Sequence, residues 1–188
     1  AKFYDDYKQG TLDITEFLYF SLKPLADNKL DDLYRWRDQF IATIIQPLLL
    51  ESAQQLIAKH RKRGDTLMVI TATNRFVTEP IVKLYGIDLL LATTPDFIDG
   101  KYTGSFTGIP CFQEGKVKLL EEWLSQSSET LSNSWFYSDS HNDLPLLKQV
   151  DNPVAVDPDE KLKTFAIEMN WPVISLRTSD CPTQHFQK

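Results

Sequence analysis

The sequence predicts an α/β fold: a mainly parallel β-sheet with helices between its strands, preceded by a set of helices. Three observations predict it. Short, nearly continuous apolar runs such as "TLMVITAT" recur, as in strands buried on both faces. Amphipathic segments at helical spacing separate those runs. The alternation sets in only at Leu48, after a stretch that reads as helical throughout. Strands alternating with helices make βαβ units and hence a parallel sheet.

The elements follow in order. "AKFYDDYKQG" opens the chain at Ala1, without Met, and reads as the middle of a helix, so a further segment upstream is expected. "DITEFLYFSLKPLA" begins at an Asp13 or Thr15 cap and carries Phe17, Leu18, Phe20, Ser21 and Leu22 in a dense apolar stretch. In "KLDDLYRWRDQFIATIIQPLLL", Leu30, Leu33, Trp36, Phe40, Ile41 and Ile44 fall at helical spacing. Pro24 and Pro47 are expected to punctuate these helices, which then form a bundle. "LLESAQQLIAKHRKRG" is an amphipathic helix stopped by Gly64. "TLMVITAT" is a strand, and "VTEPIVKLYG" a helix with Thr78 as cap candidate and Pro80 in its first turn. "IDLLLAT" is the next strand, and "FIDGKYTGSFTG" a hairpin turning at Asp99-Gly100. Then come a helix in "FQEGKVKLLEEWLSQ", a strand in "SWFYSDS", a helix in "DLPLLKQV" and a strand in "NPVAV". A helix in "DEKLKTFAIEM" and a last strand in "WPVISL" complete the pattern.

Bulk composition narrows the function. The 188 residues suffice for one domain, or for a core with an insertion. The net charge of -6 argues against nonspecific nucleic-acid binding, which needs a basic footprint. A local site for a phosphorylated small molecule remains compatible with it. Cys111 and Cys181 show no CxxC spacing and no neighbouring His cluster, so a disulfide framework or structural zinc site is not expected. A reducing cytoplasm fits this usage. No apolar run is long enough for a transmembrane helix, and no membrane partner is expected.

Open parallel sheets bind ligands at the carboxyl ends of their strands. That directs attention to Thr71 to Arg75, Thr93 and Thr94, Ser138 to Asp143, and Asp157 to Asp159. Thr71, at a strand end before a helix, suits a phosphate oxygen or else serves as a turn residue. Lys116 lies near a helix start, where a cation opposes the helix dipole; it is either a solvated surface lysine or the partner of an anion. Asp143 either caps "LPLLKQV" or binds a cation, and Asn142 is a second cap candidate. Asp139, directly after "WFYS", is harder to explain as a cap and would need a partner or a cation if buried. A hydroxyl, an ammonium and an acid pair, in that order on a parallel sheet, are what phosphoryl transfer uses.

These pieces resemble the haloacid dehalogenase superfamily of phosphohydrolases, closest to its phosphoserine-phosphatase-like branch, subfamily IB. "VITAT" matches the second motif, "EGKVKLLEEW" the third and "YSDSHNDLPLL" the fourth; "YGIDLLLATTPDFIDGKYTGSFTG" also resembles that branch. Tyr137-Ser138 replaces the commoner apolar-Gly before Asp139, and His141 stands where a small residue is usual. The resemblance implies a Rossmann-like parallel core with an inserted helical cap. Residues 1-46 would be part of the cap and 47-188 the core.

It further implies a Mg²⁺-dependent phosphomonoester hydrolase working through an aspartyl-phosphate. Asp139 and Asp143 would hold the metal, and Thr71, Lys116, Asp139 and Asp143 would be catalytic. Thr71, Ala72, Asn74, Arg75, Lys116 and Asn142 would bind substrate, a small phosphorylated metabolite with phosphoserine and histidinol phosphate as candidates. Arg75, Asn74, Glu79 and His141 are candidates to read the leaving group; for Glu79, helix N-terminal chemistry beside Pro80 is the plainer role.

The family's first motif, Asp-x-Asp-x-Thr/Val on the first core strand, has no match here. Asp157-Pro158-Asp159 comes after the fourth motif and reads as a strand-to-helix turn with Asp159 as cap. The nucleophile and the first core strand are therefore expected upstream, in a longer chain or a retained N-terminal peptide of the same protein, and this chain alone is expected to be inactive. The rival reading is a phosphate- or metal-binding relative that has lost its nucleophile.

Overall fold

Eight α-helices and seven strands are found among residues 2-177, which a computed structural model describes. In chain order they are α1 (Lys2–Gln9), α2 (Ile14–Asp27), α3 (Leu30–Phe40), α4 (Glu51–Arg63), β1 (Met68–Thr71), α5 (Arg75–Leu84), β2 (Leu89–Ala92) and β3 (Thr94–Ile98). There follow β4 (Lys101–Thr107), α6 (Glu114–Ser125), β5 (Trp135–Ser138), α7 (Leu144–Leu147), β6 (Asn152–Val156), α8 (Glu160–Glu168) and β7 (Val173–Ile174). A π-helical turn, Ile41–Ile45, and a 3₁₀ turn, Gln46–Leu48, extend α3. The chain divides into two compact units, one of residues to 49 with 68-115, the other of residues 50-67 with those from 116 onward.

In the first unit Asp13 caps α2, its Oδ1 accepting from the N–H groups of Thr15 and Glu16 at 2.9 and 3.0 Å. Leu18, Leu22 and Leu25 recur on one face and bury against Leu33 and Phe76, with Tyr102 and Phe106 of β4 packed alongside. The close approach of α2 to β4 needs Gly104, where a Cβ would lie 3.2 Å from that of Ala26 and φ is +81°. Strands β1 and β2 are parallel, from Met68 opposite Leu89 to Thr71 opposite Ala92. Strands β3 and β4 form the expected hairpin, with Asp99 and Gly100 both at positive φ.

Two expectations need correction here. Pro24 does not end its helix: α2 runs through it to Asp27. The carbonyl that loses its helical donor belongs to Phe20, an exposed residue. Nor does Thr78 cap α5. Asn74 does, its Oδ1 accepting from Val77 N at 3.3 Å, while the Thr78 hydroxyl donates back to Asn74 O at 3.0 Å. Pro80 then lies inside the helix and deprives the Phe76 carbonyl of its usual donor. Arg37 supplies one instead, Nη1 to Phe76 O at 3.5 Å, with its guanidinium also over the Phe76 ring.

The second unit is built on β5-β6-β7, all parallel. Its core joins Leu147, Ala155, Leu162 and Ala166, with Phe136 and Trp171 packed against them. Helix α4 stops at Gly64 as expected, in the left-handed conformation, and Asp65 N donates back to His60 O at 3.1 Å. The His60 ring is buried between Asp65 and Tyr137, with Nδ1 2.6 Å from Asp65 Oδ2 and Nε2 2.7 Å from the Tyr137 hydroxyl. Burial pushes the Tyr137 phenol well above its ordinary range. No single helix among the described residues is long and apolar enough to cross a membrane.

Candidate active site

Strand β5 delivers Ser138 to its carboxyl end, buried, and the next residue, Asp139, is exposed. Among the described residues the Asp139 carboxylate has neither a hydrogen bond nor an ion pair. The chain then turns sharply through a 3₁₀ turn, His141–Asp143, with Ser140 Oγ accepting from Asn142 N at 3.3 Å. This turn brings Asp143 back beneath Ser138. One oxygen of Asp143 accepts from Lys116 Nζ at 2.5 Å, and the other from Ser138 Oγ at 2.6 Å.

Lys116 is only 6% exposed and Asp143 only 7%. The surface-lysine reading of Lys116 therefore fails, and so does the capping reading of Asp143, whose side chain makes no cap bond to α7. A buried charge pair persists only when its remaining lone pairs are also satisfied, and Ser138 supplies that bond. Ser138 was not singled out as a site residue in the sequence. Its signals are its place at the strand end and a hydroxyl where apolar-Gly is commoner.

Gly115 lies in the first turn of α6, directly before Lys116. A Cβ there would lie 1.9 Å from the Pro110 carbonyl oxygen, and Gly115 N donates to Phe112 O at 2.8 Å. The helix start thus lies directly on backbone, with no side chain able to yield. Gly115→Ala is expected to cost about 1–3 kcal/mol or more through overpacking. Chemical denaturation of the variant checks this, and wild-type stability would show that the turn relaxes freely.

In the first unit Thr71 ends β1, and its Oγ1 accepts from Thr73 N at 3.2 Å, closing a turn through Ala72. Asn74 caps α5, and Arg75 turns its guanidinium to Leu90 O at 2.7 Å. Thr93, buried beside them, accepts from Arg75 N through its carbonyl and from Cys111 N through its hydroxyl. A substrate contact by Arg75 would have to replace its bond to β2. Tyr102 is pushed up to about 12 by burial and by its hydrogen-bonded neighbour Tyr34, against the opposing pull of Arg37.

Asp159 caps α8 as expected, with Oδ1 accepting from Leu162 N at 2.8 Å. Its Oδ2 also accepts from His141 N and from His141 Nδ1, each at 2.8 Å. Desolvation alone would raise its carboxyl pKa, but these hydrogen bonds outweigh burial and hold it below the ordinary range. Cys181 lies outside the described residues.

A family model described as haloacid dehalogenase-like hydrolase matches residues 2–148. The chain belongs to that family. Among relatives of this haloacid dehalogenase-like hydrolase, the histidinol-phosphatase of Neisseria meningitidis serogroup C (strain 8013) is 42% identical over 180 residues, 94% of this chain and 81% of the relative. A probable phosphatase of Mycobacterium tuberculosis (strain ATCC 25618 / H37Rv) is 35% identical over 132 residues, 70% of this chain and 46% of the relative, so the chain matches less than half of that protein. A crystal structure of a Bordetella pertussis Tohama I protein of unknown function superposes with a TM-score of 0.87 at 38% identity, covering 93% of this chain and 80% of that one. A phospho-aspartyl intermediate analogue of phosphoserine phosphatase shares the fold, with a TM-score of 0.69 at 18% identity, covering 94% and 78%. Family and named relatives alike support a phosphatase.

Proposed function

We propose that the protein is a Mg²⁺-dependent phosphomonoester hydrolase for a small metabolite, with histidinol phosphate ahead of phosphoserine as substrate. The observation that carries this reading is the exposed Asp139 carboxylate at the end of a parallel strand, without a hydrogen bond or ion pair among the described residues, four residues before the Asp143 of a buried Lys116–Asp143 pair. The order of substrates follows the Neisseria histidinol-phosphatase, the more identical of the named relatives.

The donor set fits a hard cation. Mg²⁺ takes oxygen ligands, keeps several waters and needs only one or two carboxylates. Among the described residues Asp139 offers a carboxylate with no hydrogen bond or ion pair, whereas both oxygens of Asp143 are engaged. Asp139 is therefore the direct ligand, and Asp143 a ligand or an orienting group for its waters. Bound there, Mg²⁺ would supply charge neutralisation for a phosphoryl group.

Thr71 binds a phosphoryl oxygen through its hydroxyl, with Ala72 and Asn74 in the same turn. Lys116 balances the charge of Asp143 and offers its ammonium to the phosphoryl group. Asn142, buried in the turn between the two acids, completes the substrate-binding set. The hydrolysis proceeds by attack of an Asp carboxylate on phosphorus, which displaces the alcohol and forms an aspartyl-phosphate that water then hydrolyses. Residues 1-46 act as part of a cap that selects the leaving group. The cytoplasm is the proposed compartment.

The test is a panel of phosphomonoesters, histidinol phosphate and phosphoserine included, offered to the full-length protein with Mg²⁺. Phosphate release fastest from histidinol phosphate is expected. Release from no member of the panel would refute the reading.

A further inference from the structure

We infer that Asp159 is a positioning residue for Asp139, acting through the turn that carries it. The inference rests on the metal-ligand reading of Asp139 given above. Since the Asp139 carboxylate has no protein partner among the described residues, its placement depends on its backbone. The Asp139 carbonyl accepts from Asp159 N at 2.8 Å. The Asp159 carboxylate reaches past Ser140 to take His141 N and His141 Nδ1 on one oxygen, and holds α8 through Leu162 N on the other. Asp159 therefore grips the loop on both sides of Ser140 and ties it to the first turn of a helix.

Capping alone does not explain this arrangement. A cap needs the bond to Leu162 only, and the two bonds to His141 are additional. Asp157, the other acid of the Asp-Pro-Asp turn, serves a different end of the unit. Its carboxylate accepts from the Ser175 hydroxyl at 2.6 Å and from Leu176 N at 3.1 Å, just after β7. The pair is divided in role: Asp157 fixes the end of β7, and Asp159 fixes the loop of the two site acids.

The substitution Asp159→Asn separates positioning from capping. Asn caps helices as well as Asp does, so the bond from Leu162 is kept. Its amide cannot accept both donors from His141, so the side-chain half of the grip is lost while the backbone bond from Asp159 N to the Asp139 carbonyl remains. Mn²⁺ titration of the full-length protein, followed by electron paramagnetic resonance, is the readout. Outer-sphere partners of metal ligands typically govern affinity by about 10–100-fold. Asp159→Asn is expected to weaken Mn²⁺ binding by about that factor, while Asp157→Asn leaves it unchanged. A folded Asp159→Asn protein with wild-type Mn²⁺ affinity would overturn the inference and leave Asp159 a cap.

Should Asp159→Asn fail to fold, Asp159→Ser decides, because a serine hydroxyl caps the helix through Leu162 N and offers no second acceptor to His141. Weaker Mn²⁺ binding supports the grip, and wild-type affinity overturns it. Wild-type protein that binds no Mn²⁺ would refute the metal-site reading itself, and this inference with it.

Discussion

Replacing Lys116 by Met is expected to destabilise the protein by about 3–5 kcal/mol, the usual result of removing one partner from a buried ion pair. Lys116 and Asp143 are both almost fully buried, and the ammonium is the only cation recorded on that carboxylate among the described residues. Ser138 would remain as the sole donor to Asp143, too little to compensate a buried charge. For a chain of this size the melting temperature should fall by about 6–20 °C. Replacing both partners, Lys116→Met with Asp143→Leu, should recover much of that loss, because apolar residues of similar volume often substitute for a buried pair without penalty. The double variant should nevertheless hydrolyse no phosphomonoester. Thermal denaturation of the two variants separates the contribution of the pair to stability from its contribution to chemistry.

Asp139→Asn should do the reverse. Asp139 is exposed and its carboxylate makes no hydrogen bond or ion pair among the described residues, so stability should change by no more than about 0.5 kcal/mol. Activity, by contrast, should fall by about 10²–10³-fold, the scale on which loss of one group that stabilises transition-state charge is felt. Steady-state phosphate release and a denaturant melt on the same sample check both halves. A variant that is unstable, or one that keeps full activity, would remove Asp139 from the proposed metal site.

Where local chemistry decided the outcome, the sequence was readable. Asp13 caps α2, Gly64 stops α4, and Asp99-Gly100 turns the hairpin, because each of these acts on neighbours within a few residues. The pattern of apolar runs likewise predicted mainly parallel strands, and β1 with β2, β5 with β6, and β6 with β7 do pair in parallel. The start of α5 was misplaced for a reason of longer range. Pro80 seemed to require an early position in the helix, but Arg37 on α3 donates to the carbonyl that Pro80 leaves without a partner.

The candidate site divides in the same way. Asp139 and Asp143 stood out because acids at a strand end call for a partner. The burial of Lys116 did not, since its counter-ion lies on a different element and no spacing rule links the two. The grip of Asp159 on His141, 18 residues apart, was hidden behind a correct but incomplete reading of Asp159 as a cap. His141 carried a signal, a ring where a small residue is usual, but that signal pointed to no partner.

The measurement that bears most directly on the account is a magnesium back-titration. Full-length protein stripped with EDTA would be offered histidinol phosphate while Mg²⁺ is restored stepwise. No phosphate release before Mg²⁺ is added, followed by a saturable return of activity, is the predicted result. Phosphate release that proceeds at full rate without Mg²⁺, or none at any Mg²⁺ concentration, would contradict it.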